Sequence, residues 1–394
     1  MTDSIRMAVV GLFFTAVVFG IHFYIWHRLI VDASLSPPLR HLLTGALVVM
    51  GLSIVAAIVL GHSLSPDKSR LITFGPLVWQ GAMMLFFFLL LAVDLGQLLY
   101  VLIVKVTATD NVLADPTRRR MMGRVVAGGA VLLVTGMTGT AVAMAARRPR
   151  VIATHISLAR FPASLNGLKV VQISDLHVGL TITGEWVRDV VQRVNALQPD
   201  VIVITGDLVD GSVPLLAPHV APLKDLVAPR GVFFVMGNHD YYSGASQWIA
   251  CVESLGIRVL QNERVEIGDG DDLFYLAGVN DYTAHSVDPS AAADLDRALA
   301  GCDPAREIVL LAHQPREIDN AQRLGVGLVL SGHTHGGQIW PFRYLVGLQQ
   351  PYNKGLYRHS ATTQIYVNQG TGLWGPPMRL GTESEITEIF LKRA

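Results

Sequence analysis

The chain has 394 residues, 51% hydrophobic and only 16% charged. Soluble globular domains average about 45–50% apolar and about 25% charged residues, so a disordered chain is excluded and a wholly soluble one is disfavoured. The zero net charge hides two unlike pieces, +7 over residues 1–150 and −7 over residues 151–394; the basic excess sits among apolar runs and forms no broad soluble patch, so nucleic acid is not expected as a stable partner.

In chain order, no charge lies between Arg6 and Arg28, none between Arg40 and Asp67, only Asp94 between Arg70 and Lys105, and none between Arg124 and Arg147. Crossing a hydrocarbon core takes about 20 apolar residues, and in lipid such a segment must be helical to satisfy its own backbone. Four spans are predicted near 7–27, 42–60, 76–104 and 125–146, making residues 1–150 a four-span transmembrane domain and 151–394 a second domain. Four spans put both termini on one side. Counting basic residues does not fix which side: Arg28, Arg40, Lys105, Arg118, Arg119, Arg120 and Arg124 make seven at one end, against Arg6, Lys68, Arg70, Arg147, Arg148 and Arg150, six at the other. The run Thr117-Arg118-Arg119-Arg120-Met121-Met122 precedes a Gly/Ala-rich stretch ending Ala143-Met144-Ala145. It resembles a twin-arginine export signal and predicts an extracytoplasmic second domain. Asp94 and Gln97 lie at depth in the third span; an acid there marks function or pairs with a neighbouring helix. His22, His27, His41 and His62 have no haem spacing and read as interfacial.

Beyond Arg150, short β-rich runs alternate with helical stretches. Strands are predicted at Leu168–Ser174, Asp200–Thr205, Val232–Met236, Phe274–Val279, Glu307–Ala312, Gly327–Leu330, Thr363–Asn368 and Glu385–Leu391. Helices are predicted at Glu185–Leu197, Leu215–Val227, Gln247–Leu255, 290–300 and 315–323. This alternation makes an α/β domain with a substantial sheet. Two cysteines, Cys251 and Cys302, exclude a disulfide framework and a multi-cysteine zinc site.

Five predicted strands run into polar residues of one chemical kind: Asp175 and His177; Gly206, Asp207 and Asp210; Gly237, Asn238, His239 and Asp240; His313; and Gly332, His333 and His335. In open α/β sheets the crevice beyond the strands' carboxyl ends is where ligands bind. Residues i and i+2 of an extended segment point the same way, so Asp175 and His177 can reach one ion. Glycines at these ends let the backbone turn without a Cβ clash. Imidazole, carboxylate and amide oxygen suit Mn²⁺, Fe or Zn²⁺ rather than a thiolate-seeking ion.

The ordered series D-x-H, GD-x-x-D, GNHD, H and GHTH resembles the calcineurin-like metallophosphoesterase superfamily, over about residues 165–392. The membrane-attached layout and the Gly336-Gly337-Gln338 run resemble its membrane-anchored branch. The resemblance implies an N-terminal four-helix transmembrane region and a C-terminal α/β metallophosphoesterase domain, a β-sheet sandwich flanked by helices. It implies a metal-dependent hydrolase of phosphoester bonds that uses two divalent ions and a hydroxide they activate. One ion would take Asp175, His177, Asp207 and His335, the other Asp207, Asn238, His313 and His333. Asp207 would bridge, since two close cations repel unless an anion lies between them. His239 would not ligate; it would stabilise phosphoryl oxygens or protonate the leaving group, with Asp240 orienting it.

Asp210 reads as bracing its loop, and Asn368, Gly370 and Gly372 as either a plain turn or part of the site's surroundings. His155, His219, His285 and His359 read as surface or packing residues. The aromatic and basic stretch Gln338–Ser360 is either a packed loop or a cover for a lipid phosphate or the bilayer. Tethering favours a lipid-linked or envelope-associated phosphoester as substrate, with membrane lipids as neighbours. Two other functions stay open: a metal-binding scaffold without turnover, and a transporter or sensor regulated by the phosphoesterase domain.

Overall fold

The computed structural model describes residues 3–61, 63–107 and 116–394, so His62 lies outside the described residues. The chain forms two compact units, Met1–Gly61 with Ile72–Ala143, and His62–Leu71 with Met144–Ala394.

The first unit is built on helices α1 (Asp3–Trp26), α2 (Pro37–Gly61), α3 (Pro66–Thr107) and α4 (Pro116–Ala145). Three of them start on a proline, whose fixed φ and missing N–H suit the first helical turn. All four are long and apolar enough to cross a membrane, and large apolar side chains such as Leu12, Phe13 and Leu132 face outward, as lipid contact requires. After α1 the chain makes one π turn, His27–Val31. There Arg28 pairs with Asp32, and its other nitrogen lies 2.7 Å from Asp94. Tyr24 donates to the same Asp94 carboxylate at 2.6 Å. Asp94 is thus held by a cation and a hydroxyl, the pairing alternative for an acid at depth. His22 is likewise enclosed: Trp79 Nε1 lies 2.9 Å from its Nε2, and its Nδ1 faces the Val18 carbonyl.

The second unit holds two six-stranded sheets. The first has the order β1 (Arg150–Leu158), β12 (Glu385–Arg393), β2 (Leu168–Ile173), β3 (Val201–Thr205), β4 (Val232–Val235), β5 (Arg258–Val259). The second runs β10 (Gly355–Arg358), β11 (Gln364–Val367), β9 (Leu328–Ser331), β8 (Ile308–Leu311), β7 (Asp272–Gly278), β6 (Glu263–Asp269). Strands β2 to β5 are parallel, as are β7, β8, β9 and β11. Along β3, Val201 and Val203 enter a core shared with Val309, Leu311, Leu328 and Leu330 of the other sheet. Ile202 and Ile204 enter a second core with helices α5 (Gly184–Ala196) and α8 (Ala245–Ser254). A third core covers the outer face of the second sheet. The two sheets thus stack as a sandwich with helices outside, and burial on both faces is why Val201–Thr205 reads as an unbroken apolar run.

Some elements differ from the sequence reading. Strands β1, β5, β6 and β10 were not expected. Strand β1 buries only Ile156 and Leu158, β6 only Ile267, and β10 none of its residues, so no continuous apolar signal marks them. The expected helix Leu215–Val227 splits into α6 (Val213–Val220) and a 3-10 turn Ala221–Asp225, where Pro218 and Pro222 break the ladder. The stretch 290–300 forms only two short turns, Pro289–Ala291 and Leu295–Ala298.

Candidate metal centre

The polar strand ends of both sheets meet at one edge. Gln172 in β2 donates to Thr205 Oγ1 of β3 and to the Ser331 carbonyl of β9, each at 2.9 Å, stitching the sheets together beneath that edge. The residues that follow make abrupt turns: Asp175, His177, Asp207, His333 and His335 all have positive φ, between 49° and 69°. Left-handed backbone at a side-chain-bearing residue costs about 1–3 kcal/mol, and such strain gathers at ligand clamps. Glycines clear the space. A Cβ on Gly332 would collide with Ser174 Oγ and the Asp175 carboxylate, and one on Gly206 with the His313 ring.

Two groups of donor atoms form around Asp207. In the first, Asp175, His177 and His335 offer atoms within 4.8 Å of one another. His177 Nε2 faces His335 Nε2 at 3.1 Å, and Asp175 Oδ1 lies 3.5 Å from the latter. In the second, Asp207, His313 and His333 come together in the same way: His313 Nε2 is 3.2 Å from both Asp207 Oδ2 and His333 Nδ1. Asp207 Oδ2 also lies 3.6 Å from His177 Nε2, so one oxygen looks into both groups. Asn238 Oδ1 is buried there without a hydrogen-bond partner.

This arrangement fits two cations. His177 Nδ1 is engaged by Asp210, and His313 Nδ1 by the Thr205 carbonyl at 2.8 Å. Those acceptors fix a ring proton on Nδ1 and turn Nε2 towards the neighbouring donors, the usual support behind a metal-bound histidine. In the metal-free site burial opposes charge on His177 and His313, but the neighbouring carboxylates outweigh it and raise both, while burial and those two charged rings hold His335 well below the ordinary imidazole range and lower His333 to about 3. Ring nitrogens facing each other at 3.1–3.2 Å require a positive species between them, a proton in the metal-free site or a cation when one is bound. The orphaned Asn238 oxygen points to the same conclusion. No thiolate takes part: Cys251 and Cys302 are free and belong to other parts of the domain.

All seven expected ligands therefore gather in these groups or beside them, and His239 stands next to them. Burial opposes charge on His239, but Asp207 and Asp210 outweigh it and raise its pKa to about 9. Its ring lies 4.8 Å from that of His177, and Tyr242 and Trp374 flank it edge-on at 5.6 and 5.9 Å. The expected partner of His239 needs correcting. Asp240 does not orient it: Oδ1 of Asp240 accepts from the backbone of Leu208 and Val209, and Oδ2 from Gly237 N–H. Adjacent residues of a short helical turn, here α7 (Asn238–Tyr242), point in different directions, so Asp240 faces inward and cinches two loops. Asp210 takes that place, 2.7 Å from His239 Nδ1 and 3.1 Å from His177 Nδ1. The sequence reads Asp210 only as a loop brace, and chain position alone carries no sign that it joins two histidines.

Arg379 gave no sequence signal. It is fully buried, and its guanidinium donates to the carbonyls of Gln369, Gly370, Gly372 and Glu383. It thereby shapes the loop behind His335. A Cβ on Gly370 would press on His335, and one on Gly372 on the Leu176 backbone; both glycines border the site. Asn368 closes the turn, its Oδ1 accepting from Gly370 N–H.

The model of the calcineurin-like phosphoesterase family matches residues 168–337. An uncharacterized metallophosphoesterase of Helicobacter pylori strain J99 is 38% identical, over 70% of this chain and 73% of its own length. The chain belongs to the calcineurin-like phosphoesterase family. Two vertebrate relatives, each a "transmembrane protein with metallophosphoesterase domain", are 41% identical in Bos taurus over 67% of this chain and 39% identical in Danio rerio over 73%. The chain spans 62% and 66% of their lengths. With its four apolar helices, this member of the family is a membrane protein carrying a metallophosphoesterase domain.

Proposed function

We propose that the protein is a membrane-anchored two-metal phosphoesterase, with residues 1–150 as the anchor and 151–394 as the catalyst. The observation that carries this reading is the convergence of imidazole and carboxylate donor atoms on both sides of Asp207. Asp175, His177, Asp207 and His335 would hold one ion, and Asp207, Asn238, His313 and His333 the other. When bound, such ions polarise the phosphoryl oxygens and lower the pKa of the attacking water. His239, kept protonated by Asp207 and Asp210, would donate to the leaving oxygen, a contribution of about 10²–10⁴-fold for a well-placed general acid. Asp210 fixes the proton on His239 Nδ1 and so sets which ring edge faces the substrate. Asp240 acts at one remove, by holding the loops that carry Asp207 and Asn238.

The substrate we propose is a lipid-linked or envelope-associated phosphoester, because a tethered catalyst works where such groups are concentrated. The run Thr117–Met122 ahead of α4, with its resemblance to a twin-arginine export signal, supports an extracytoplasmic catalytic domain. The full chain loaded with Mn²⁺ should hydrolyse p-nitrophenyl phosphate or its diester, and Asp207→Asn and His239→Ala should each remove that activity. Undiminished turnover in both variants would sink the proposal.

A further inference from the structure

Strand β1 is where the chain enters the catalytic domain, and its register decides which edge it enters. Arg150 pairs with Glu385 in the parallel β1–β12 ladder. Strand β12 runs antiparallel to β2, with Thr387 opposite Gln172. The first residue of β1 therefore lies at the edge where β2 runs out into Asp175. Local contacts agree: Arg150 N–H donates to the Ser384 carbonyl, and its side chain lies 3.1 Å from Glu383. Helix α4 ends at Ala145 and β1 starts at Arg150, and the intervening chain can span at most about 18 Å. The candidate metal centre thus lies at the edge of the domain where β1 begins, a few residues along the chain from the end of α4.

That same edge is greasy. Trp340 and Trp374 are each 48% exposed, Tyr344 59%, Leu345 43% and Leu348 81%. They are not scattered. Gln338 joins their loops, donating to the Trp374 carbonyl at 2.8 Å and accepting from Trp374 N–H at 3.0 Å. Trp340 N–H donates to the Leu380 carbonyl at 2.9 Å, and Thr382 Oγ1 donates to the Gln338 carbonyl, which leads back to Glu383 and Arg150. Trp374 also flanks His239. Arg343 lies over the Tyr344 ring at 4.8 Å, adding a cation to the patch. Exposed indole and phenol rings with aliphatic neighbours and a basic side chain are the composition that settles at a membrane–water interface.

We infer that this edge docks on the bilayer surface, with Trp340, Tyr344, Leu345 and Leu348 entering the headgroup region, so that the metal centre meets phosphoesters there. The inference rests on the phosphoesterase reading only for what the site does once docked. The test uses the full chain in phosphatidylcholine–phosphatidylglycerol nanodiscs. In a C251S/C302S background, L348C and, separately, Y344C carry an environment-sensitive fluorophore. V227C, at an exposed position before β4 on the opposite edge, is the reference. Docking predicts blue-shifted emission at 348 and 344 and quenching by lipids spin-labelled near the headgroup, with aqueous emission at 227. Equal emission and equal quenching at all three positions would overturn it. Hydrolysis of soluble p-nitrophenyl phosphate by the same samples reports on the phosphoesterase reading separately.

Discussion

Asp210→Asn is the most informative single substitution. The carboxylate stands between two histidines, 2.7 Å from His239 Nδ1 and 3.1 Å from His177 Nδ1. An amide has one accepting oxygen, so it can serve one ring and must turn its NH₂ towards the other. A hydrogen bond to a charged group contributes about 1.5–3 kcal/mol. With about 1.4 kcal/mol per tenfold in rate, loss of the His239 contact should lower kcat by about 10- to 150-fold. If the amide instead abandons His177, metal affinity should fall by about 10–100-fold, as for other supports of ligating histidines. The pH profile separates this from simple damage. Asp210 raises the His239 pKa, so its removal lowers that pKa, and the alkaline limb of kcat should move to lower pH. The assay is p-nitrophenyl phosphate hydrolysis across pH at saturating Mn²⁺, with Asp210→Glu as the conservative control. A variant with unchanged kcat, metal affinity and alkaline limb would refute the role given to Asp210.

Other outcomes follow from the same geometry. Gly332→Ala forces a methyl against Ser174 and Asp175 and should weaken metal binding while costing about 1–3 kcal/mol of stability, read by metal titration and urea unfolding. Arg379→Met strips donors from the carbonyls of Gln369, Gly370 and Gly372; at about 1–3 kcal/mol per orphaned buried acceptor the loss should be large in urea unfolding, with Arg379→Lys intermediate. In metal-stripped protein, His239 has a folded pKa of about 9, above the ordinary value of about 6.5. Its contribution to stability is therefore complete below about pH 6.5 and lost as pH rises through about 9, so the stability gap between wild type and His239→Ala should shrink over that window.

The legible parts of this protein were those where one residue type answers one constraint. Charge-free gaps had to be helices because lipid offers the backbone no partners, and the doubly buried strands announced themselves as apolar runs ending in Asp or His. The candidate ligands are legible because each stands just after such a run. Side-chain direction was not visible. Asp240 adjoins His239 in the chain yet points to backbone N–H groups, while Asp210, distant in the chain, reaches His239 across a loop. Arg379 was silent for a similar reason: its partners are carbonyls, which every residue carries. Strand β1 escaped because its solvent-facing residues interrupt the apolar signal.

The central claim is that Asp207 sits between two cations. Metal analysis of the purified full chain, reconstituted with Mn²⁺ and freed of excess ion, tests it most directly. The account predicts two ions per chain in the wild type and loss of at least one, together with phosphoester hydrolysis, in Asp207→Asn. A folded wild-type chain that retains one ion or none, or an Asp207→Asn variant that keeps both and still turns over, would contradict it.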